Sequence, residues 1–330
     1  MIKDRLGRPL LDLRVSVTDR CNYRCPYCMP RAKFGPGYAF LPRSEVLSFE
    51  EIVRVVDALV PMGLQKVRLT GGEPLLRRDL GQLVEQLAKR PLDLCLTTNG
   101  ALLPAHAGPL RAAGLRRVTV SLDALDTPTF AALSDSDVPP EQVLAGVNAA
   151  LAAGLGVKVN AVVKRGVNEH AVVELVEAFR GTPVEVRFIE YMDVGATNGW
   201  RRDDVVTADE ILALVAARHP IEPLAAAPLG RVAERWRLSD GSGTFGVIAS
   251  VSRPFCGGCT RLRLSTDGHL FTCLFGSQGT PLRDVLRGDV PGALEEQLRS
   301  VWGARADRYS EQRGEDSGDG PRVEMSAIGG

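Results

Sequence analysis

The sequence predicts an α/β fold built on a parallel sheet, and three observations carry that reading. Six short β-rich runs alternate with helix-periodic segments between about residues 10 and 192. Unusual polar residues gather where those runs end, and the alternation stops after residue 193. Strand–helix alternation of this kind builds parallel strands joined by helical crossovers. It fits either a doubly wound sheet or a partial (β/α) barrel.

The runs are 11–17, 66–70, 92–98, 116–122, 156–163 and 184–192, each rich in Val and Leu and closed by polar or glycine residues. Between them, 48–63, 78–90 and 168–181 carry helical periodicity. Ser48 with Glu51 three residues on has capping-box spacing, so a helix is expected to start there. Beyond 193 a helix is expected at 207–219, then a Pro- and Ala-rich connector at 220–230. Two β-like runs at 231–239 and 243–251 flank a DGSG turn, and a second hairpin crosses TDGH at 266–269. A further helix is expected near 290–303. The polar, glycine-rich stretch 310–321 is expected to be mobile. The division that follows is 1–193, 194–309 and a tail at 310–330.

Forty basic residues balance forty acidic ones, so no global field argues for nucleic acid or an anionic membrane as partner. No apolar run approaches the ~18 residues that span a bilayer, and the first residues do not form a secretory signal. A reduced cytoplasmic setting is expected. There disulfides are disfavoured and clustered cysteines point to metal. The seven cysteines fall into two triplets, Cys21, Cys25, Cys28 and Cys256, Cys259, Cys273, with Cys95 left over in an apolar run as a small buried hydrophobe.

Chemistry in a barrel collects at the C-terminal ends of its strands. The first triplet follows the first run; TGGEP (70–74), TTNG (97–100), SLDA (121–124) and EYMD (190–193) follow others. A structural zinc wants four protein ligands, whereas a catalytic zinc keeps three and an open position. Iron–sulfur clusters also use thiolates at these spacings, and three cysteines on a four-iron cluster leave one iron free to chelate a small molecule. Beside the second triplet, His269 would be the fourth ligand of a zinc site.

CxxxCxxC with Tyr27 before its last cysteine, together with GGEP at 71–74, resembles the radical S-adenosylmethionine enzymes. The second triplet, with RLTGGEPLLRRDL, RRVTVSLDALD, RFIEYMDVGATNGW, FCGGCTRLRLSTDGHLFTCLF and the terminal MSAIGG, is similar to the GTP 3′,8-cyclase family of molybdenum cofactor biosynthesis over essentially the whole chain. The resemblance implies a partial (β/α)6 TIM-type barrel and a smaller α+β C-terminal region with a second cluster. It implies two 4Fe-4S clusters, one on each triplet, and S-adenosylmethionine cleaved to a 5′-deoxyadenosyl radical. That radical would take the 3′ hydrogen of GTP, and the ribose carbon would add to C8 of guanine held at the second cluster.

Residue by residue, it implies S-adenosylmethionine contacts at Tyr27, Gly72, Ser121 and Met192, with Asn99 as a further candidate. It implies GTP contacts at Arg14, Arg68, Thr97, Lys158, Arg261 and Arg263, where guanidinium forks suit phosphate. Gly329 and Gly330 would thread the terminus into the active site. Implied partners are an external one-electron donor and a downstream cyclic pyranopterin monophosphate synthase; a homodimer is left open. Two rivals stand beside this: a radical peptide-maturing enzyme, whose auxiliary clusters usually take more C-terminal cysteines, and a zinc-stabilised binding protein.

Overall fold

A computed structural model describes residues 1–225, 229–230, 232–313 and 322–329. Gly330, most of the stretch expected to be mobile, and parts of the 220–231 connector and hairpin start lie outside the described residues.

Six parallel strands form the centre: β1 (Asp12–Ser16), β2 (Lys66–Thr70), β3 (Asp93–Thr98), β4 (Arg117–Ser121), β5 (Gly156–Val163) and β6 (Glu185–Glu190). They lie in chain order, so every crossover steps to the next position. The sheet curves as a partial barrel and does not close. Later strands continue it at both margins: β7 (Ile221–Pro223), β8 (Glu234–Leu238), β9 (Thr244–Ile248), β10 (Arg261–Leu264), β11 (His269–Phe271) and β12 (Thr280–Pro281). Both expected hairpins form, β8–β9 and β10–β11. In addition, β9 pairs in parallel with β6, and β10 in parallel with β1. The C-terminal region thereby covers the two open edges that a six-stranded sheet would expose, a liability in any unclosed sheet.

Helices cover the outer face. The first is a single turn in the cysteine loop, α1 (Arg31–Phe34). The crossovers supply α2 (Phe49–Leu59), α3 (Leu80–Ala88), α4 (Leu103–Ala112), α5 (Thr127–Ser134), α6 (Pro140–Ala152) and α7 (Ala171–Ala178). Then come α8 (Ala208–Ala216), α9 (Arg283–Arg287), α10 (Ala293–Ala304) and α11 (Tyr309–Gln312). Helix α2 shows why: Ile52, Val55, Val56 and Leu59 share one buried face, and Ser48 and Glu51 form the reciprocal capping box.

Side-chain alternation sends Leu13 and Val15 outward into the helical layer and Arg14 inward. Parallel register then places Arg263, Arg14 and Arg68 on neighbouring strands at one level. Near the entry end, Glu185 bridges Lys158 (3.3 Å), Arg187 (2.6 Å) and Arg235 (2.7 Å). Burial would raise its carboxyl pKa, but these three cations hold it down to about 2. A depressed pKa contributes stability above the ordinary value of 4.5 that is lost as pH falls toward 2. Glu185→Gln should therefore lower stability at pH 7, with the difference from wild type shrinking between pH 4.5 and 2 in denaturant titrations. Equal losses at both ends of that range would contradict the assignment.

Candidate functional site

One cavity of about 320 Å³ opens at the C-terminal ends of the parallel strands, and all six cysteines of the two triplets line it. The first triplet rides the loop after β1; of the second, Cys256 and Cys259 ride the segment joining β9 to β10 and Cys273 lies just past β11. Because β10 is hydrogen-bonded to β1, two motifs more than 200 residues apart share one chamber.

The GGEP segment explains its own glycines. The Gly72 amide donates to the Thr18 carbonyl and the Glu73 amide to the Arg20 carbonyl, both 2.8 Å, so the turn after β2 lies flat against the cysteine loop. A Cβ on Gly72 would sit 2.3 Å from the Arg20 carbonyl oxygen. Gly72→Ala should destabilise the fold by about 1–3 kcal/mol through forced backbone displacement, read by denaturant unfolding, and expose the Cys21 thiol to a labelling reagent. An alanine variant with wild-type stability and labelling would refute this packing role. Glu73 itself is buried and accepts from the amides of Leu75 and Asn99 and the Thr98 hydroxyl. Burial raises its pKa to about 7, opposed by those three donors.

Tyr27 donates 2.7 Å to Asp123, whose other oxygen accepts from the Val162 amide. This ties the cysteine loop to the ends of β4 and β5. Gly72, Asn99, Ser121 and Met192 line the same cavity as Tyr27, so every expected S-adenosylmethionine contact faces one space. Asn99 is oriented by Asn22 of the cysteine loop at 2.8 Å.

The cavity wall is also strongly cationic. Arg14, Arg68, Arg261 and Arg263 line it, with Thr97. Arg68 is fixed by the hydroxyls of Thr97 and Thr119, both 3.0 Å. Burial, then Arg263, Arg261 and Arg68, pull the Arg14 pKa well below its ordinary value. Burial and Arg261 likewise bring Arg263 down to about 10. Arg14 Nε is buried with no partner among the described residues. Crowded like charges with an idle donor are what an anion would relieve.

Lys158 is placed differently from the expectation for a substrate contact: its ammonium pairs with Glu185 and does not line the cavity. Burial and Arg187 bring it down to about 8. Arg187, one strand over, does line the cavity. Alternation alone could not rank the two, because both point inward.

The carbonyl of Gly329 accepts from Arg14 (3.4 Å) and from Arg263. Its φ is +71°, and a Cβ would meet Thr70 Oγ1 at 2.5 Å, so only glycine fits. Gly329 thus lies against two arginines of the cavity wall.

The triplets differ in electrostatics. Burial pushes Cys21 up to about 11, and Cys25 and Cys28 upward as well. At Cys259 burial is outweighed by Arg261 and Arg305, which bring the thiol down to about 6. Arg305 also donates to the Cys259 carbonyl at 2.8 Å. Sequence reading missed it, since nothing near residue 305 signals a contact 46 positions earlier.

All six thiols are free. Among the described residues, neither triplet has its three sulfurs all within 4.8 Å of one another. Tetrahedral zinc at Zn–S of about 2.3 Å would hold them roughly 3.8 Å apart. His269 is engaged by Asp267 at 3.0 Å and does not line the cavity. Three thiol donors converging on an open chamber fit an iron–sulfur cluster better than a closed zinc site.

Comparison with known proteins agrees with this chemistry. The radical SAM superfamily model matches residues 15–179, and the Molybdenum Cofactor Synthesis C model matches 184–311. A GTP 3′,8-cyclase of Acidothermus cellulolyticus is 55% identical over all of this chain and 94% of its own length. One from Xanthomonas axonopodis pv. citri is 50% identical over 100% and 99%, and one from Staphylococcus saprophyticus 45% over 100% and 99%. Among solved structures, Streptococcus suis SuiB bound to S-adenosylmethionine superposes with a TM-score of 0.64 at 15% identity, covering 93% of this chain and 68% of that one. At that identity the likeness speaks for the fold alone.

Fold and site thus define a radical S-adenosylmethionine enzyme, a class that works with a 4Fe-4S cluster and S-adenosylmethionine. Within that class, the identity shared along the entire chain is specific: the chain belongs to the GTP 3′,8-cyclase family.

Proposed function

We propose that the protein converts GTP to 3′,8-cyclo-7,8-dihydro-GTP in molybdenum cofactor synthesis. The observation that carries the proposal is the shared chamber, with both cysteine triplets and an arginine row in its wall. Cys21, Cys25 and Cys28 would hold the first 4Fe-4S cluster, which with S-adenosylmethionine supplies hydrogen-atom abstraction. Cys256, Cys259 and Cys273 would hold a second and so present an open iron to the guanine.

The chain's own work is placement and exclusion of water. Tyr27, Gly72, Ser121 and Met192, with Asn99, would seat S-adenosylmethionine. Arg14, Arg68, Arg261 and Arg263 would grip the triphosphate, with Thr97 orienting Arg68 and Arg187 completing the cationic wall. Lys158 would join only after leaving Glu185. Holding ribose and base in one orientation converts a reactive radical into a selective one. Gly329, and Gly330 after it, would close the chamber without adding a side chain. An external one-electron donor, a cytoplasmic setting and a downstream cyclic pyranopterin monophosphate synthase complete the proposal. No described helix is long and apolar enough to cross a membrane.

The test is anaerobic reconstitution with iron and sulfide, followed by S-adenosylmethionine, reductant and GTP. About eight irons per chain and GTP-dependent 5′-deoxyadenosine are expected. Zinc in place of iron would overturn the cluster assignment, and eight irons without GTP turnover would overturn the substrate.

A further inference from the structure

The terminal strap does not rest on Gly329 alone. Asp193, just past β6 and 8% exposed, is the meeting point of three side chains from the end of the chain. Its carboxylate accepts from the Tyr309 hydroxyl at 2.5 Å, from Arg313 Nε at 3.0 Å and from Arg322 at 3.0 Å. Arg322 also donates to the Asp193 carbonyl, 2.5 Å. The aromatic ring of Tyr309 stacks on Phe275, centroids 4.4 Å apart, two residues after Cys273. Arg322 lies over Tyr309 at 4.7 Å and Arg313 over Phe275 at 5.4 Å.

Six residues lie between Arg322 and Gly329, and the contacts between them are sequential. Glu324 accepts from Lys33 of α1 (2.9 Å) and from Thr197 (3.1 Å). The Ser326 carbonyl accepts from Ser16 at 3.2 Å, and Ile328 is fully buried. Fixing the strap at Arg322 thus sets the register at which the Gly329 carbonyl meets Arg14 and Arg263. Asp193 is flanked by Met192 and Val194, both in the cavity wall, so the same short loop faces the cavity on one side and fastens the strap on the other.

We propose that Asp193 is a positioning residue: an anionic clasp that fastens the C-terminal strap and thereby places Gly329 over the arginine row. Two partly buried arginines on one carboxylate make a clasp whose charge matters more than its shape. Asparagine would keep much of the geometry but leave two guanidinium charges uncompensated. The clasp deepens the proposed cyclase function and rests on it only for its kinetic consequence.

The deciding experiment is hydrogen exchange on the full-length, reconstituted protein. In Asp193→Asn, amides of 323–329 should exchange at least tenfold faster, while those of β1–β4 keep wild-type protection. Arg322→Met should do the same, and the double variant should add little, because both remove one contact. With GTP, Asp193→Asn should lose about tenfold in kcat with the KM for S-adenosylmethionine within twofold, and Asp193→Glu should recover part of the loss. Unchanged exchange across 323–329 in both single variants would overturn the clasp. So would loss of protection throughout the barrel in both, which would make the residue merely structural. If wild-type protein failed to turn over GTP, the cyclase function would fall and the exchange result would still decide the clasp.

Discussion

Replacing Cys256 by alanine is expected to halve the iron of the reconstituted protein, from about eight to about four per chain, and to abolish GTP turnover. Reductive cleavage of S-adenosylmethionine, which the proposed function assigns to the other triplet, should continue at a low uncoupled rate. The fold should tolerate the change. The Cys256 carbonyl is held by Arg8 at 2.9 Å and the Cys259 carbonyl by Arg305 at 2.8 Å, so the ligand loop is fastened by groups other than a metal. Cys25→Ala should do the reverse: about four irons retained and no 5′-deoxyadenosine at all. Iron content and product analysis on the two variants separate a two-cluster enzyme from a one-cluster enzyme. Equal iron in Cys256→Ala and wild type would mean that the second triplet binds none.

Replacing Arg263 by leucine is expected to lower kcat/KM for GTP by about 30- to 5,000-fold, the effect of removing one partner of a buried charge pair, about 2–5 kcal/mol. The same change should leave the substrate-free protein as stable as wild type or more so. Arg263 is 3% exposed, beside Arg14 and Arg261, and burial together with mutual repulsion already pulls Arg14 and Arg263 downward. Leucine removes one of those charges from a packed wall. A group that costs stability without ligand and contributes affinity with it belongs to a binding site, the opposite of a core residue. Thermal unfolding and steady-state kinetics on one preparation measure both effects. A large fall in unfolding temperature with unchanged kcat/KM would make Arg263 a structural residue.

Much of the fold was legible because local chemistry wrote it. The capping box at Ser48 and Glu51, the Val-rich strands and both C-terminal hairpins formed where spacing and turn residues placed them. Parts of the site were legible for the same reason: three thiols in eight positions, or two glycines at a strand end, are local patterns. Lys158 and Arg187 were not separable, since both alternate inward and only their level against Glu185 decides which meets the cavity. Arg305 and Asp193 were invisible as partners, because what each holds lies 46 to 129 residues away.

By itself the sequence determined the repertoire: two cysteine triplets, a parallel barrel of six strands, a supply of arginines and the glycine at 329. Tertiary structure alone decided the meeting. Pairing of β10 with β1 brings the second triplet into the chamber of the first and lines Arg263 up with Arg14 and Arg68. Asp193 fastens the strap whose glycine reaches that row. The physical reason is range: capping, turn and alternation signals act over a few residues, whereas strand register and buried ion pairs join any two points that the fold brings together.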